Sequence, residues 1–366
     1  MNEIIKMLIK IWHDPVWSKV IAFIITSIFT SIFGVIVIIF YKIYKNQYFI
    51  IIMIVAILII CVFSFFIFRK LSLKSQQRKL NIKQYENVVE IINKALCKEL
   101  IVRTIPSSVP PSLLDSGPLN IDEESHQLSL RIKHELYVNK QPDDPCAAVI
   151  NTPAWSDNPL TFLYKHLLYS DTRVLRKLNK NIKYINANGV LFSEEERCVI
   201  VHRRSDKSYD YPNTLHTFGG GFMPPNINGR GDDGGIRECL EREIHEETGV
   251  NIQIPDTTQI VIIDEFNINF IQIVYLGINI TKEQVKRFRP NWEGSINKIA
   301  FDNLFEKMKE INDWTISGWC HILLWLALDT PNAKKPLYFN GIKASDLSDN
   351  LSKYLIKNPR LSRFDD

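Results

Sequence analysis

The segment Arg242-Glu243-Ile244-His245-Glu246-Glu247-Thr248-Gly249-Val250 constrains this chain more than any other stretch. Ile236, Leu240 and Ile244 recur every fourth position, the spacing of a helix that buries one stripe. Gly249 then supplies the residue that most readily takes the left-handed backbone of a helix C-cap. On such a helix, residues three and four apart are surface neighbours, so Glu243 faces both Glu246 and Glu247. Carboxylates that close repel one another unless positive charge lies among them. A hard divalent cation such as Mg2+ answers that need, because it takes oxygen ligands and leaves room for substrate phosphates. The plainer reading is a solvated acidic face held by i,i+4 pairs such as Glu238 with Arg242.

The segment resembles the Nudix box, whose second half reads Arg-Glu-apolar-x-Glu-Glu-x-Gly-apolar. Arg242, Glu243, Ile244, Glu246, Glu247, Gly249 and Val250 match it position by position. The resemblance implies an α+β Nudix fold, a mixed sheet between helices, acting on a diphosphate linkage in nucleoside diphosphate derivatives. It implies Glu243, Glu246 and Glu247 as metal ligands for Mg2+ and, with Arg242, as the catalytic set. Arg242 would form an ion pair that holds a glutamate in place. The front half departs from the pattern, which would place glycine at 228 and glutamate at 234; this chain has Asn228 and Gly234. Gly219-Gly220-Gly221 is the candidate for the missing glycine turn and for nucleotide contact, with an insertion through Pro224, Pro225 and Gly229. Asp232 and Asp233 are candidate N-terminal caps of the helix. The departure leaves hydrolytic competence open and keeps the three carboxylates.

The flanks fit the same domain, over roughly 181–330. Asn188 to Phe192 and Cys198 to Val201 read as two short strands joined by an acidic turn. Arg203 and Arg204 follow, and the resemblance makes them candidates for substrate phosphates, which suit arginine's fork. Gln259 to Ile263 and Phe270 to Ile280 are β-branched and apolar enough for strands. Asn291-Trp292-Glu293-Gly294 resembles the family's Glu-Gly turn before its last strand. A helix from about Asp313 to Leu328, rich in Trp and Leu, closes the domain.

Residues 1–70 are a different kind of sequence. Val20 to Tyr41 and Asn46 to Phe68 carry no charge, and each run is just over 20 residues long. As helices, both cross a hydrocarbon core of about 30 Å, which predicts an α-helical two-span hairpin ahead of the soluble domain. Lys6, Lys10 and Lys19 precede the first span, Arg69, Lys70, Lys74 and Arg78 follow the second, and only Lys42 and Lys45 lie between. The positive-inside rule then places both termini in the cytoplasm. Residues 1–83 hold 11 Lys and Arg against 2 acidic residues, a net of +9 in a chain of net +4, so the remainder is −5. The basic balance therefore belongs to a membrane surface and its anionic lipid, and a nucleic-acid polymer is not an expected partner. Thr26, Thr30 and Gly34 lie four apart in the first span, a spacing that lets helices approach closely in lipid.

Between the spans and the box, 71–105 reads as a basic helical connector. Residues 106–180 form a Pro-rich loop and an extension with no recognisable pattern, and 331–366 is a C-terminal segment with a short helix near Leu347 to Ile356. The six cysteines are scattered without a Cys-x-x-Cys pair, so neither a zinc site nor a disulfide framework is expected.

Two function classes compete. One is a membrane-anchored, Mg2+-dependent Nudix hydrolase. The other is a receptor, because a pyrophosphatase for soluble nucleotides has no need of two spans. The whole layout resembles the transmembrane-Nudix effectors of bacterial cyclic-oligonucleotide anti-phage systems (CBASS). That resemblance implies a multi-pass protein of the bacterial inner membrane and a homo-oligomer. Its cytoplasmic domain would sense a cyclic nucleotide, and its hairpin would disrupt the membrane and kill the infected cell.

Overall fold

The computed structural model describes residues 82–358, except 104–105, 140, 152, 156, 158–159, 179–181, 209–210, 225–232 and 330–333, together with isolated helical positions between 34 and 70. The two expected spans lie outside the described residues apart from those positions. Among the described residues no helix is long and apolar enough to cross a membrane. Met1–Gln77 and Arg78–Asp366 are separate compact units.

The second unit begins with helix α1 (82–95). In chain order come β1 (Leu100–Val102), β2 (Ser112–Pro118), α2 (Glu123–Val138), β3 (Pro145–Asn151), β4 (Thr161–Leu168), α3 (Tyr169–Lys177), β5 (Lys183–Ser193) and β6 (Cys198–Arg204). Then come β7 (Leu215–His216), β8 (Phe218–Gly221), α4 (Ile236–Thr248), β9 (Gln259–Glu265), β10 (Phe270–Asn279), α5 (Lys282–Lys286) and β11 (Gly294–Ala300). Helices α6 (Leu304–Lys309) and α7 (Ile316–Ala327), the hairpin β12 (Tyr338–Phe339) and β13 (Ile342–Lys343), and α8 (Ala344–Lys357) complete it.

Eleven strands form one mixed sheet, whose main path runs β1-β9-β10-β5-β3-β4-β2. Strand β5 is its hub, parallel to β10 along one side. Along the other side it meets three antiparallel partners in succession. Lys183 and Tyr184 pair with β3, Asn186 to Gly189 with β8, and Leu191 to Ser193 with β6. The glycine run 219–221, expected as a turn, is therefore the body of strand β8. Gly219, at φ +134°, lies so close to β5 that a Cβ would stand 2.7 Å from the Asn188 Cα.

Alternation along the strands sends neighbouring residues to opposite faces. Val190, Val261, Val274 and Leu276 enter one core with α1, α7 and α8. Ala187, Leu191, Ile262 and Ile273 enter the other with α4. The fold is a mixed α/β arrangement with helices on both faces of the sheet. Helix α7 is buried at every position, as befits a helix apolar all round. Trp319 and Trp325 on it, and Trp314 just before it, are fully covered, and truncating any one to alanine would cost about 3–5 kcal/mol. The segment 119–180 supplies α2, α3, β3 and β4, which extend the sheet past β5 around a small third core of Ala148, Leu167, Leu175 and Tyr184.

Candidate functional site

Helix α4 packs on β8 and β5. It buries Ile236, Leu240 and Ile244, and it ends at Gly249, whose φ of 72° lets its N–H reach the His245 carbonyl at 2.7 Å. Its N-cap is Gly235, with no side-chain cap bond. Asp233 does not cap the helix. Instead its buried carboxylate accepts from Arg242 Nε at 2.8 Å and Nη2 at 3.0 Å, and from the Met223 N–H at 2.8 Å.

The other face of the Arg242 guanidinium is also committed. Nη1 donates to Glu243 at 2.8 Å and to Glu246 at 3.2 Å, and Nη2 donates to the Gly221 carbonyl at 3.0 Å. One arginine thus holds two box carboxylates, Asp233 and strand β8 in fixed relation. Burial pushes the Glu243 carboxyl well above the usual range; Arg242 opposes, and Glu247, Glu246 and Glu293 push the same way. Gly220 makes room for it, because a Cβ there would lie 2.7 Å from Glu243 Oε1. Glu247 is buried and takes different partners: the Gly219 N–H at 3.2 Å and His202 Nδ1 at 3.3 Å. Glu246 is exposed.

A fourth carboxylate arrives from the loop before β11. Burial, and Glu247 next, raise the Glu293 carboxyl. The loop is tied to the site by Asn291 Nδ2 donating to the Glu246 carbonyl at 3.1 Å and by the Ser205 N–H donating to the Glu293 carbonyl at 2.6 Å. The two candidate arginines separate. Arg203 makes a bidentate pair with Asp313, at 2.9 and 2.8 Å, and bonds the Asn213 carbonyl at 2.6 Å, so its fork is already filled. Arg204 shares a strand face with His202 and is paired in register with Gly294, beside Glu293. Gly219 and Gly220 meet Glu247 and Glu243, while Gly221 contributes its carbonyl to Arg242.

Among the described residues, no group of three or more His, Cys, Asp or Glu is gathered closely enough to hold a metal ion. Arg242 draws Glu243 and Glu246 to itself, whereas Glu247 is held by His202 and Gly219. In kind, the donors fit a hard cation: they are oxygen ligands, and burial first and neighbouring carboxylates next raise Glu243 and Glu293, a cost that a divalent charge would relieve. Cys97, Cys146, Cys198, Cys239 and Cys320 are free thiols.

On the opposite face of the sheet runs a buried polar row that the sequence did not announce. Tyr211 Oη and Gln272 Nε2 both donate to Glu265, and Asn188 Nδ2 donates to Gln272 at 3.3 Å. His216 Nε2 lies 3.2 Å from Asn188 Oδ1 and its Nδ1 2.6 Å from Thr315 Oγ1; His321 Nδ1 lies 2.6 Å from Thr217 Oγ1. Burial holds the His321 imidazole down to about 3, and burial, with Arg204, His321 and His202, holds His216 well below its ordinary value.

No family model matches the chain, and no curated protein does. Solved structures do match over part of it. The MutT protein from Methanosarcina mazei Go1 is 18% identical over 37% of this chain and 88% of its own, with a TM-score of 0.29. The bifunctional NMN adenylyltransferase/ADP ribose pyrophosphatase from Francisella tularensis, complexed with AMP and a Mn ion, is 13% identical over 43% of this chain, with a TM-score of 0.29. The match spans about half of that second protein, 48%.

Proposed function

We propose that the Arg78–Asp366 unit is a Nudix-type nucleotide receptor, and that the N-terminal segment carries two membrane spans that respond to it. The observation that carries the binding part is the Arg242 lock. Asp233, Glu243, Glu246 and the Gly221 carbonyl converge on one guanidinium, with Glu247 and Glu293 alongside. Mg2+ held by Glu243, Glu246 and Glu247 would supply positive charge against the oxygens of a diphosphate. The chain's own residues orient those carboxylates: Arg242 fixes two, His202 and the Gly219 N–H fix the third. The effector part rests on the two charge-free runs and on the resemblance to CBASS effectors, in which a cyclic nucleotide triggers membrane disruption in the bacterial inner membrane through a homo-oligomer. Ligand can drive such a response only by binding the assembled state more tightly than the resting one.

A second reading, hydrolysis of nucleoside diphosphate derivatives, is favoured by Glu293. A carboxylate of raised pKa beside the box glutamates suits a general base. The test uses the full-length chain with Mg2+ and a panel of cyclic di- and trinucleotides, ADP-ribose and nucleoside triphosphates, reading melting temperature and products together. A cyclic nucleotide that raises the melting temperature and is recovered intact is the expected result. Turnover of a linear diphosphate without any response to cyclic ligands overturns the receptor.

A further inference from the structure

The loop that carries Glu293 into the site presents a second kind of chemistry. After α5 the chain reads Arg287-Phe288-Arg289-Pro290-Asn291-Trp292 and closes on the C-terminal end of α4. Four contacts fix it. Phe288 packs against the core beneath α4, the Arg289 N–H donates to the Thr248 carbonyl at 2.8 Å, Asn291 holds the Glu246 carbonyl, and the Glu293 carbonyl accepts from Ser205. Pro290 further limits the backbone of Arg289. At Gly249, the cap of α4, a Cβ would stand 3.9 Å from the Cβ of Arg289.

On this anchored loop Arg287 and Arg289 are exposed, and Trp292 is 60% exposed. Among the described residues neither arginine has an ion-pair partner, in contrast to Arg203 with Asp313 and Arg242 with Asp233. Two unpaired guanidinium groups and an indole are therefore carried on already ordered backbone, beside the end of α4 that bears Glu246 and Glu247. A guanidinium matches phosphate oxygens. An indole gives a base a flat apolar face, and little conformational freedom is left to lose on binding.

We infer that the 287–292 loop is a second recognition element of the site: Arg287 and Arg289 take a phosphate lying outside the carboxylate cluster, and Trp292 stacks on the adjoining base. This rests on the nucleotide-binding reading of the unit and adds the residues that set its selectivity. It assigns to this loop the phosphate role that Arg203 cannot fill.

The test titrates the full-length chain, with Mg2+, against methylenediphosphonate and a methylene-bridged ATP analogue. Neither can be cut at its methylene bridge, and only the second carries a base and a further phosphate. The wild type should bind the ATP analogue about tenfold more tightly, the scale of one stacked base. Arg287→Gln with Arg289→Gln, and separately Trp292→Ala, should each shrink that preference to within about twofold and leave diphosphonate binding unchanged. The analogue should also quench tryptophan emission in the wild type and the arginine variant, but not in Trp292→Ala. A preference that survives in both variants overturns the inference. Equal wild-type affinity for the two probes overturns it too and leaves the nucleotide-binding reading standing, whereas binding of neither removes both.

Discussion

Gly219 and Gly220 are neighbours in β8, yet alanine at each should do opposite things. At Gly219 the backbone has φ +134°, and a Cβ would overlap the Ala187 carbonyl oxygen and come within 2.7 Å of the Asn188 Cα. Both obstacles are backbone of the hub strand β5, so neither can rotate away. A side chain in that region of φ costs about 1–3 kcal/mol, and forcing two backbones apart adds a similar amount. A loss of about 3 kcal/mol is expected, which for a domain of this size lowers the melting temperature by about 6–12 °C. At Gly220 the obstacle is the Glu243 carboxylate, the far end of a flexible side chain. Alanine there gains about 0.5–1 kcal/mol from reduced backbone freedom and loses it again in moving the carboxylate, so stability should change by less than about 1 kcal/mol. What changes is the site. Glu243 leaves Arg242, and Mn2+ affinity, measured by electron paramagnetic resonance, should fall at least about tenfold, roughly 1.4 kcal/mol. Thermal unfolding with and without Mn2+ separates the two variants. If Gly220→Ala unfolds as readily as Gly219→Ala, or binds Mn2+ like the wild type, the placement of Glu243 against Gly220 is wrong.

Three further outcomes are expected from the same contacts. Asp233→Ala removes two charged hydrogen bonds from Arg242, which keeps Glu243, Glu246 and the Gly221 carbonyl, and should lower stability by about 2–3 kcal/mol in urea titration, whereas Asp233→Glu should recover most of it; a cost under about half a kcal/mol for alanine would deny Asp233 its role. Arg203→Ala should cost about 1 kcal/mol, the scale of its partly exposed pair with Asp313, and leave ligand response unchanged; a weakened response would return Arg203 to the site. Buried His321, at about 3, and His216 stay neutral in the folded chain, while the unfolded chain protonates them below about 6.5. The contribution of these histidines is therefore complete above about pH 6.5 and falls as pH drops; for His321 the loss reaches about 2 kcal/mol at pH 5 and continues toward about pH 3, and His216 acts in the same direction. Denaturation at pH 7 and 5 checks this, and His321→Asn should reduce the loss between those two values by about 2 kcal/mol.

Where one residue class repeats at a fixed period, the sequence reveals the structure. The every-fourth apolar stripe of α4, the β-branched runs of β9 and β10 and the apolar helix α7 all read directly, and so does the mixed α/β arrangement. Long-range pairing does not. The three glycines suggest a turn because a turn is what glycine usually serves; only the partner strand shows that β8 needs them for close approach to β5. Asp233 suggests a cap because caps are local, and its bond to Arg242 spans nine residues. The alternation of β6, which turns Arg203 and Arg204 to opposite faces, is legible in principle, but which face meets the box is not. Glu293 can be found from the turn that carries it. His202, adjacent to the box only in space, leaves no local signal.

Helix α1 bears on how the unit can be cut from the chain. Tyr85, Val88, Ile92 and Leu96 are buried in the same core as α7 and α8, so residues 82–96 are part of the wall of that core and not a detachable leash. A fragment begun inside that helix would open the face of the sheet opposite α4 and would aggregate rather than report on ligands. One begun at Arg78, where the compact unit starts, keeps the wall whole. By the same token, whatever moves at α1 acts on the core that it shares with α7 and α8.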